Sequence, residues 1–175
     1  MNTRKSMKLP IAITFIFICI IVYLFMSLKQ TVVVCEKESL FDSDIKLSET
    51  VIANLDGKKI TSLEVTKKVT VPDKMNKKEE YLSGIKNSLE YTIEYLDDGA
   101  SCVISDNSVV ANINVNNNNQ PVLLDNISFA DNNGELGISI DTNTKSSQVI
   151  ALQVGDNYTD GEFMMYLKNK GYSCK

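Results

Sequence analysis

The chain has 175 residues, a formal net charge of −4, and neither histidine nor tryptophan. Its length fits one domain with short appendages, and the missing histidine excludes a Ser-His-Asp triad, a Cys-His dyad and an HExxH zinc site. The acidic balance disfavours nucleic acid as a partner. Because the sequence also lacks a glycine-rich phosphate-binding loop, we expect no enzyme activity and no cofactor.

Residues 9–28 form an uncharged apolar run, LPIAITFIFICIIVYLFMSL, which follows a stub at residues 1–8. A bilayer core of roughly 30 Å needs about 20 helical residues, so the run predicts one transmembrane helix. More basic residues precede the run than follow it, which predicts a cytoplasmic N-terminus and an extracellular C-terminal part. A cleaved signal peptide is the alternative, but no small-x-small cleavage site follows the run. We therefore expect a signal-anchor and a single-pass protein of the cell membrane.

The exported part is more acidic than the net charge of the whole chain suggests. Four of the 18 basic residues lie in residues 1–29 and all 22 acidic residues lie beyond Val34, so the exported part carries a formal charge of −8. A solvated surface explains this charge, and a surface for a cationic partner or Ca²⁺ is the alternative. The segment 156–162 resembles part of an EF-hand loop, but Tyr158 and Leu167 occupy two ligand positions, so we interpret it as a turn and helix cap without metal.

The first half of the exported part predicts a hairpin and a long helix. We interpret residues 29–44 as a linker and residues 45–175 as one extracellular domain. Alternating apolar residues in 45–54 and 60–71 flank the tight-turn pair Asp56-Gly57 and predict a β-hairpin. Asp73 is a candidate N-cap for a helix that ends near residue 96. The helix carries one apolar stripe: Leu82, Ile85, Leu89, Ile93 and Leu96.

The second half predicts several strands and a short terminal helix. The predicted strands are 101–105, 109–115, 122–129, 136–140 and 148–154. Residues 159–169 predict the helix, and Gly171 suits its left-handed cap. The fold class is therefore α+β: a transmembrane helix, then an antiparallel β-sheet packed on one long helix, with a short C-terminal helix. Asn126 and Asn157 begin glycosylation sequons, which matter only in a glycosylating pathway.

Three of the four cysteines lie in the exported part, where an oxidising environment permits disulfides. Cys19 lies in the apolar run and is interpreted as a small apolar residue. We predict a bond between Cys102 and Cys174, which would tie the short terminal helix to the sheet; two free buried thiols are the alternative. Cys35 would then be left to carry lipid, pair between chains or stay free. The absence of a CxxC motif disfavours a zinc ribbon or a thioredoxin-type site.

Three sequence features resemble a known group of surface proteins. They are the charged hairpin strand KITSLEV at residues 59–65, the Cys102 position after a Lys/Glu-rich helix, and the closing segment EFMMYLKNKGYSCK at residues 162–175. Together they resemble small membrane-anchored proteins and lipoproteins of low-GC Gram-positive bacteria, including YehR-like lipoproteins. The chain departs from a lipoprotein pattern because Val34, not a small residue, precedes Cys35. The resemblance implies a bacterial cell-surface protein and carries no catalytic residues over.

These features predict a non-catalytic binding or interaction module of the cell envelope, with the membrane and an envelope protein as partners. One alternative is a structural or assembly subunit of a membrane complex, and another is an envelope hydrolase that uses carboxylates. An exposed edge strand or apolar patch would favour protein binding. A deep pocket with two facing carboxylates of shifted pKa would favour catalysis.

Overall fold

The computed structural model describes residues 30–41, 44–94, 99–116, 120–132, 135–145 and 147–175. The predicted transmembrane segment 9–28 and Cys19 lie outside these residues. Among the helices that are described, none is long and apolar enough to cross a bilayer.

Ten strands and two helices make up the described part of the domain. The strands are β1 (Gln30–Phe41), β2 (Ile45–Asp56), β3 (Lys59–Thr70), β4 (Ala100–Ser105), β5 (Ser108–Val115), β6 (Val122–Leu124), β7 (Ile127–Asn132), β8 (Glu135–Ile140), β9 (Ile150–Leu152) and β10 (Ser173–Cys174). The helices are α1 (Lys78–Ile93) and α2 (Asp160–Lys168). Six strands form one antiparallel sheet of order β10-β1-β2-β3-β5-β4. The predicted α+β class with an antiparallel sheet is confirmed.

The central hairpin follows from strict alternation along β2 and β3. Odd-numbered positions of β2 are buried, from Ile45 to Leu55, and the facing positions of β3 are buried in register. Gly57 closes the turn with φ 62°, a left-handed conformation that glycine adopts without strain. The predicted hairpin is therefore confirmed, and it forms the middle of the sheet.

The segment predicted as a linker is a strand instead. Residues 30–41 form β1, which pairs with β2 along its whole length. The physical reason is a period of two in which Val33 and Cys35 face the core while Val32 and Glu36 face solvent. The charges at residues 36–38 obscured this alternation in the sequence.

The predicted apolar stripe of α1 is confirmed where it is described. Leu82, Ile85, Leu89 and Ile93 are buried, and α1 packs against β4 and β5 on one face of the sheet. Leu96 lies outside the described residues. The helix begins later than predicted: Lys77 is the N-cap, in a left-handed conformation and without a side-chain hydrogen bond, so Asp73 does not cap it.

The remaining elements cover the same face of the sheet near β1 and β2. The predicted strand 122–129 is divided into β6 and β7 at Asp125, which has φ 54°, because Asp125 and Asn126 turn toward the sheet to meet lysine side chains. β6 pairs with β9, and β7 pairs with β8. The predicted terminal helix is confirmed as α2, capped by Thr159, and Gly171 after it has φ 90°.

Candidate functional site

A row of charged side chains crosses the core-facing side of the sheet. Lys37 of β1 lies opposite Glu49 of β2, which lies opposite Lys67 of β3. Glu49 is 2% exposed and Lys67 is 3% exposed. Because isolated buried charges are very costly, such residues must be paired.

Every charge in this row has a partner. Glu49 Oε1 lies 3.1 Å from Lys67 Nζ in an ion pair, and Glu49 Oε2 accepts hydrogen bonds from Tyr172 Oη at 2.8 Å and from the Asp125 backbone N–H at 3.2 Å. Lys67 Nζ also donates to Asn126 Oδ1. Residues far apart in the chain thus converge on one buried carboxylate.

Lys37 forms the outer part of the same network. Its Nζ donates to both carboxylate oxygens of Asp125, at 2.7 and 2.8 Å, and to the Lys170 carbonyl oxygen at 3.0 Å. It also lies 5.3 Å from the centre of the Tyr172 ring, within the range of a cation–π contact. Lys37 therefore joins the Asp125 turn to the residues that follow α2.

The two carboxylates have opposite pKa shifts. Burial alone would raise the pKa of Glu49, but the Lys67 charge and the hydrogen bonds that Glu49 accepts lower it below the usual value. For Asp125, burial outweighs the bonds from Lys37 and the pKa is raised. Burial beside Glu49 raises the pKa of Tyr172, which stays a hydrogen-bond donor. The network is therefore ionised at its centre, where Glu49 Oε1 has the Lys67 charge beside it but accepts no hydrogen bond. Its other contacts join residues of this chain to one another, which suits a structural role better than substrate binding.

The second feature is the free edge of the sheet at β4. Among the described residues, no strand pairs with the outer side of β4. Its sequence, ASCVIS, has no charge and no proline, and Val103 and Ile104 are 50% and 45% exposed. Natural edge strands are commonly protected by charge, proline, a bulge or a covering element, so β4 lacks the first two of these protections.

Alternation of the hydrogen bonds identifies which β4 groups face outward. The Val71 N–H donates to the Asn107 carbonyl oxygen at 2.9 Å, so odd-numbered residues of β5 bond to β3 and even-numbered ones bond to β4. By register, Ser101, Val103 and Ser105 face β5. The N–H and C=O groups of the other three β4 residues, Ala100, Cys102 and Ile104, point away from the sheet.

A groove of about 510 Å³ runs between α1 and the start of β4. Glu90 and Glu94 line its helix side, and Cys102 lines its strand side. The Cys102 thiol lies 4.0 Å from the Lys86 carbonyl oxygen. Burial and the nearby Glu90 raise the pKa of this thiol to about 11, so it stays protonated and is a weak nucleophile.

The cysteine pairing differs from the prediction. Cys174 bonds to Cys35, and Cys102 is a free thiol; the predicted Cys102–Cys174 bond is corrected accordingly. Val34 and Lys175 exchange both backbone hydrogen bonds, so Cys35 and Cys174 form the adjacent non-hydrogen-bonded pair, where strands approach most closely. Their Cα atoms are 4.1 Å apart. The proposed lipid or intermolecular role of Cys35 does not fit this bond.

The other candidate sites from the sequence, the segment 156–162 and the sequon residue Asn126, make contacts within the fold. In the segment 156–162, Asp156 accepts a hydrogen bond from the Gln153 N–H and Thr159 caps α2, as the turn-and-cap interpretation predicts. Among the described residues, no group of three or more acidic or cysteine side chains could hold a metal ion. The sequon residue Asn126 is buried against Lys67.

Sequence reasoning missed both the charged row and the identity of the free edge. The sequence contains an indication of the charged row, because Glu49 and Lys67 fall in the same alternating register as the buried apolar residues of their strands. The sequence contains no such indication of the free edge, because the order of strands in a sheet depends on contacts between residues that are far apart in the chain. No family model, curated protein or solved structure matches this chain.

Proposed function

We propose that this protein is a non-catalytic interaction module of the bacterial cell envelope, anchored by residues 9–28, with its C-terminal domain outside the cell. The observation that carries the proposal is the uncharged free edge of β4. An edge of this kind accepts an added strand, whose main-chain hydrogen bonds supply affinity while side chains enter the neighbouring groove. The groove between α1 and β4 provides that second contact.

The opposite edge of the sheet supports the choice of β4. There β10 covers part of β1, pairing with Cys35 and Glu36, and the exposed Glu38 adds a charge beyond the paired residues. Charges on an edge strand discourage pairing with another chain. The β1 edge therefore has some protection from pairing and charge, although Val32 and Leu40 on it are exposed, whereas β4 has neither of these protections.

The chemistry of the deepest carboxylates favours binding over hydrolysis. Glu49 is enclosed and held ionised by Lys67, and Asp125 is engaged by Lys37. A pair of glycosidase carboxylates would need to face an open cleft that admits sugar and water. An assembly role in a membrane complex would use the same β4 edge and differ only in the partner.

Site-specific photocrosslinking in intact cells tests the interaction surface. In the test variant, a photoreactive amino acid replaces Val103 on β4. In the control variant it replaces Glu64, an exposed residue of β3 in the middle of the sheet. We expect a discrete adduct from position 103 alone, which disappears when Ile104→Pro removes an outward-facing N–H. Identical adducts from both positions, or none from position 103, would refute the proposed surface.

The proposed location has a separate test. A membrane-impermeant amine reagent applied to intact cells should label lysines of the C-terminal domain in the membrane fraction. Labelling only after cell lysis would contradict an extracellular domain. Recovery of the chain from the culture medium would contradict permanent anchoring.

A further inference from the structure

We propose that Lys67 and Asn126 become joined by an isopeptide bond, a secondary amide between the lysine Nζ and the asparagine side chain, with Glu49 as the general base and acid. The observation that carries the proposal is the meeting of an amine, a carboxamide and a carboxylate in the core. The bond links β3 covalently to the turn before β7, across 59 residues of the chain. It does not depend on the β4 edge, so it and the proposed function are tested separately.

The Lys67 amine lies directly against the Asn126 side chain. Its Nζ is 2.5 Å from Asn126 Oδ1, which is closer than the usual range of about 2.7–3.2 Å for an N–H···O hydrogen bond. Because a carbonyl bond is about 1.2 Å long, Nζ lies within about 3.7 Å of the carbonyl carbon Cγ. Reacting atoms in a near-attack arrangement are about 3–3.5 Å apart. A small rotation of the amide about its soft terminal torsion therefore brings Cγ to the amine.

Glu49 is placed to move the proton that the reaction must transfer. Its Oε1 lies 3.1 Å from Lys67 Nζ, within the reach of a general base. Among the described residues, this atom is the one buried side-chain nitrogen or oxygen without a hydrogen-bond partner. Oε2 is held by the Tyr172 hydroxyl and the Asp125 N–H. The carboxylate is thus fixed with its free oxygen beside the amine.

The surroundings of the three groups exclude water. Asn126 is 5% exposed, and Glu49 and Lys67 are buried more deeply. Their neighbours along the strands or in register on the next strand are buried apolar residues: Leu47, Val51, Val65, Val69 and Ala111. Separated charges are costly in such surroundings. Transfer of the Lys67 proton to Glu49, which leaves a neutral amine and a neutral carboxyl group, is therefore easier here than in water.

The reaction exchanges one amide nitrogen for another and needs no further reactant. Once the proton is on Glu49, the Lys67 amine attacks Asn126 Cγ and the bond from Nζ to Cγ forms. The bond from Cγ to Nδ2 then breaks, and Nδ2 leaves as ammonia with one proton from Nζ, relayed through Glu49. The products are a secondary amide, ammonia and protonated Glu49. Glu49 Oε1 then donates a hydrogen bond to the new amide carbonyl, so the oxygen without a partner gains one and no unpaired charge stays in the core.

The other lysine of the network lacks these conditions. Lys37 Nζ lies 2.7 Å from the Asp125 carboxylate, but their side chains are 23% and 18% exposed. The other described contacts of this amine are the Lys170 carbonyl oxygen and the Tyr172 ring, and neither can act as a base. Lys37 and Asp125 should therefore stay unlinked, which makes them an internal control.

Mass spectrometry of the full-length chain purified from membranes tests for the bond. The chain is reduced, denatured and digested with trypsin, which does not cleave after an acylated lysine, and with a protease that cleaves at acidic residues. We expect a branched peptide in which Lys67 is joined to Asn126, lighter than the sum of its two linear parts by one ammonia molecule. Linear peptides at both residues would overturn the proposal. A branch from Lys67 to Glu49 with loss of water would overturn the assigned partner.

Matched variants test the two residues that are joined. Lys67→Met and Asn126→Ala should each remove the branched peptide completely. Lys68→Met changes the neighbouring lysine, which is exposed on the same strand, and should leave the branched peptide unchanged. The Glu49–Lys67 ion pair belongs to the unreacted chain, and Asn126→Ala preserves it because that variant lacks only the carboxamide. A branched Lys67 in Asn126→Ala would contradict the pairing.

Glu49→Gln tests the base. In freshly synthesised chain it should lower the amount of branched peptide at least about tenfold, as expected when a general base is lost. The Cys35–Cys174 disulfide, mapped in the same sample without reductant, reports that the sheet has formed. Undiminished branching in a Glu49→Gln chain that contains this disulfide would overturn the role of Glu49.

Discussion

Removal of one charge from the Glu49–Lys67 pair should destabilise the domain strongly. In Lys67→Met, the ionised Glu49 keeps its hydrogen bonds from Tyr172 and Asp125 but loses the cation 3.1 Å away. Breaking a buried ion pair in this way costs about 3–5 kcal/mol, because an uncompensated charge remains in the core. Typical domains have only about 5–15 kcal/mol of total stability.

The double variant separates pairing from simple truncation. In Glu49→Gln with Lys67→Met neither charge remains, so we expect the combined loss to be smaller than the sum of the two single losses by about 2 kcal/mol or more. Lys86→Met is the control, because it removes half of a partly exposed pair on α1 that is worth about 0.2–0.5 kcal/mol.

Urea unfolding followed by far-ultraviolet circular dichroism measures these differences. With a slope of about 2 kcal/mol per molar, the Lys67→Met loss corresponds to a midpoint lower by about 2 M. Single losses below about 1 kcal/mol that add up in the double variant would refute the reasoning, since they would mean that water reaches both charges in the folded state.

Three further predictions concern other parts of the structure. Cys174→Ser should lower the free energy of unfolding by about 2–5 kcal/mol, because the disulfide joins residues 139 apart, whereas Cys102→Ser should lower it far less. Non-reducing peptide mapping should find the Cys35 and Cys174 peptides linked. A Cys102–Cys174 link would contradict this pairing. The folded-state pKa of Glu49 lies below its ordinary value of 4.5, so its stabilising contribution is present above pH 4.5 and is lost as the pH falls further. The difference in urea-unfolding midpoint between wild type and Glu49→Gln should therefore shrink below pH 4.5. A difference that stays constant with pH would contradict this prediction. Thr159→Ala removes the capping box of α2 and should cost about 1 kcal/mol in thermal unfolding, while an unchanged melting temperature would show that the cap is dispensable.

Local patterns predicted the central elements of this fold correctly. Alternation identified β2 and β3, and the spacing of Leu82, Ile85 and Leu89 identified the buried face of α1. Both signals are short-range, because periods of two and 3.6 residues are written directly in the sequence. For β1 the sequence predicts a linker, because three consecutive charges near its centre interrupt the alternation of apolar residues.

The remaining errors share a long-range cause. The partner of Cys174 depends on β1 being a strand next to β10, which joins the two ends of the described chain. The division of the predicted strand 122–129 depends on lysines of β1 and β3, which draw Asp125 and Asn126 inward. A charged residue in the buried register of one strand, opposite a counter-charge in the next, is the signal that would have revealed the network.

The Cys35–Cys174 bond also determines how the domain responds to mechanical load and to cleavage. It turns the chain from residue 35 to residue 174 into a covalent ring that contains almost all of the core. Tension applied between residue 30 and residue 175 passes through the sulfur bridge and bypasses the fold, so pulling at the ends extends only the few residues outside the ring. A single proteolytic cut in any loop inside the ring likewise leaves both fragments joined, and loss of a fragment requires a second cut or a reductant.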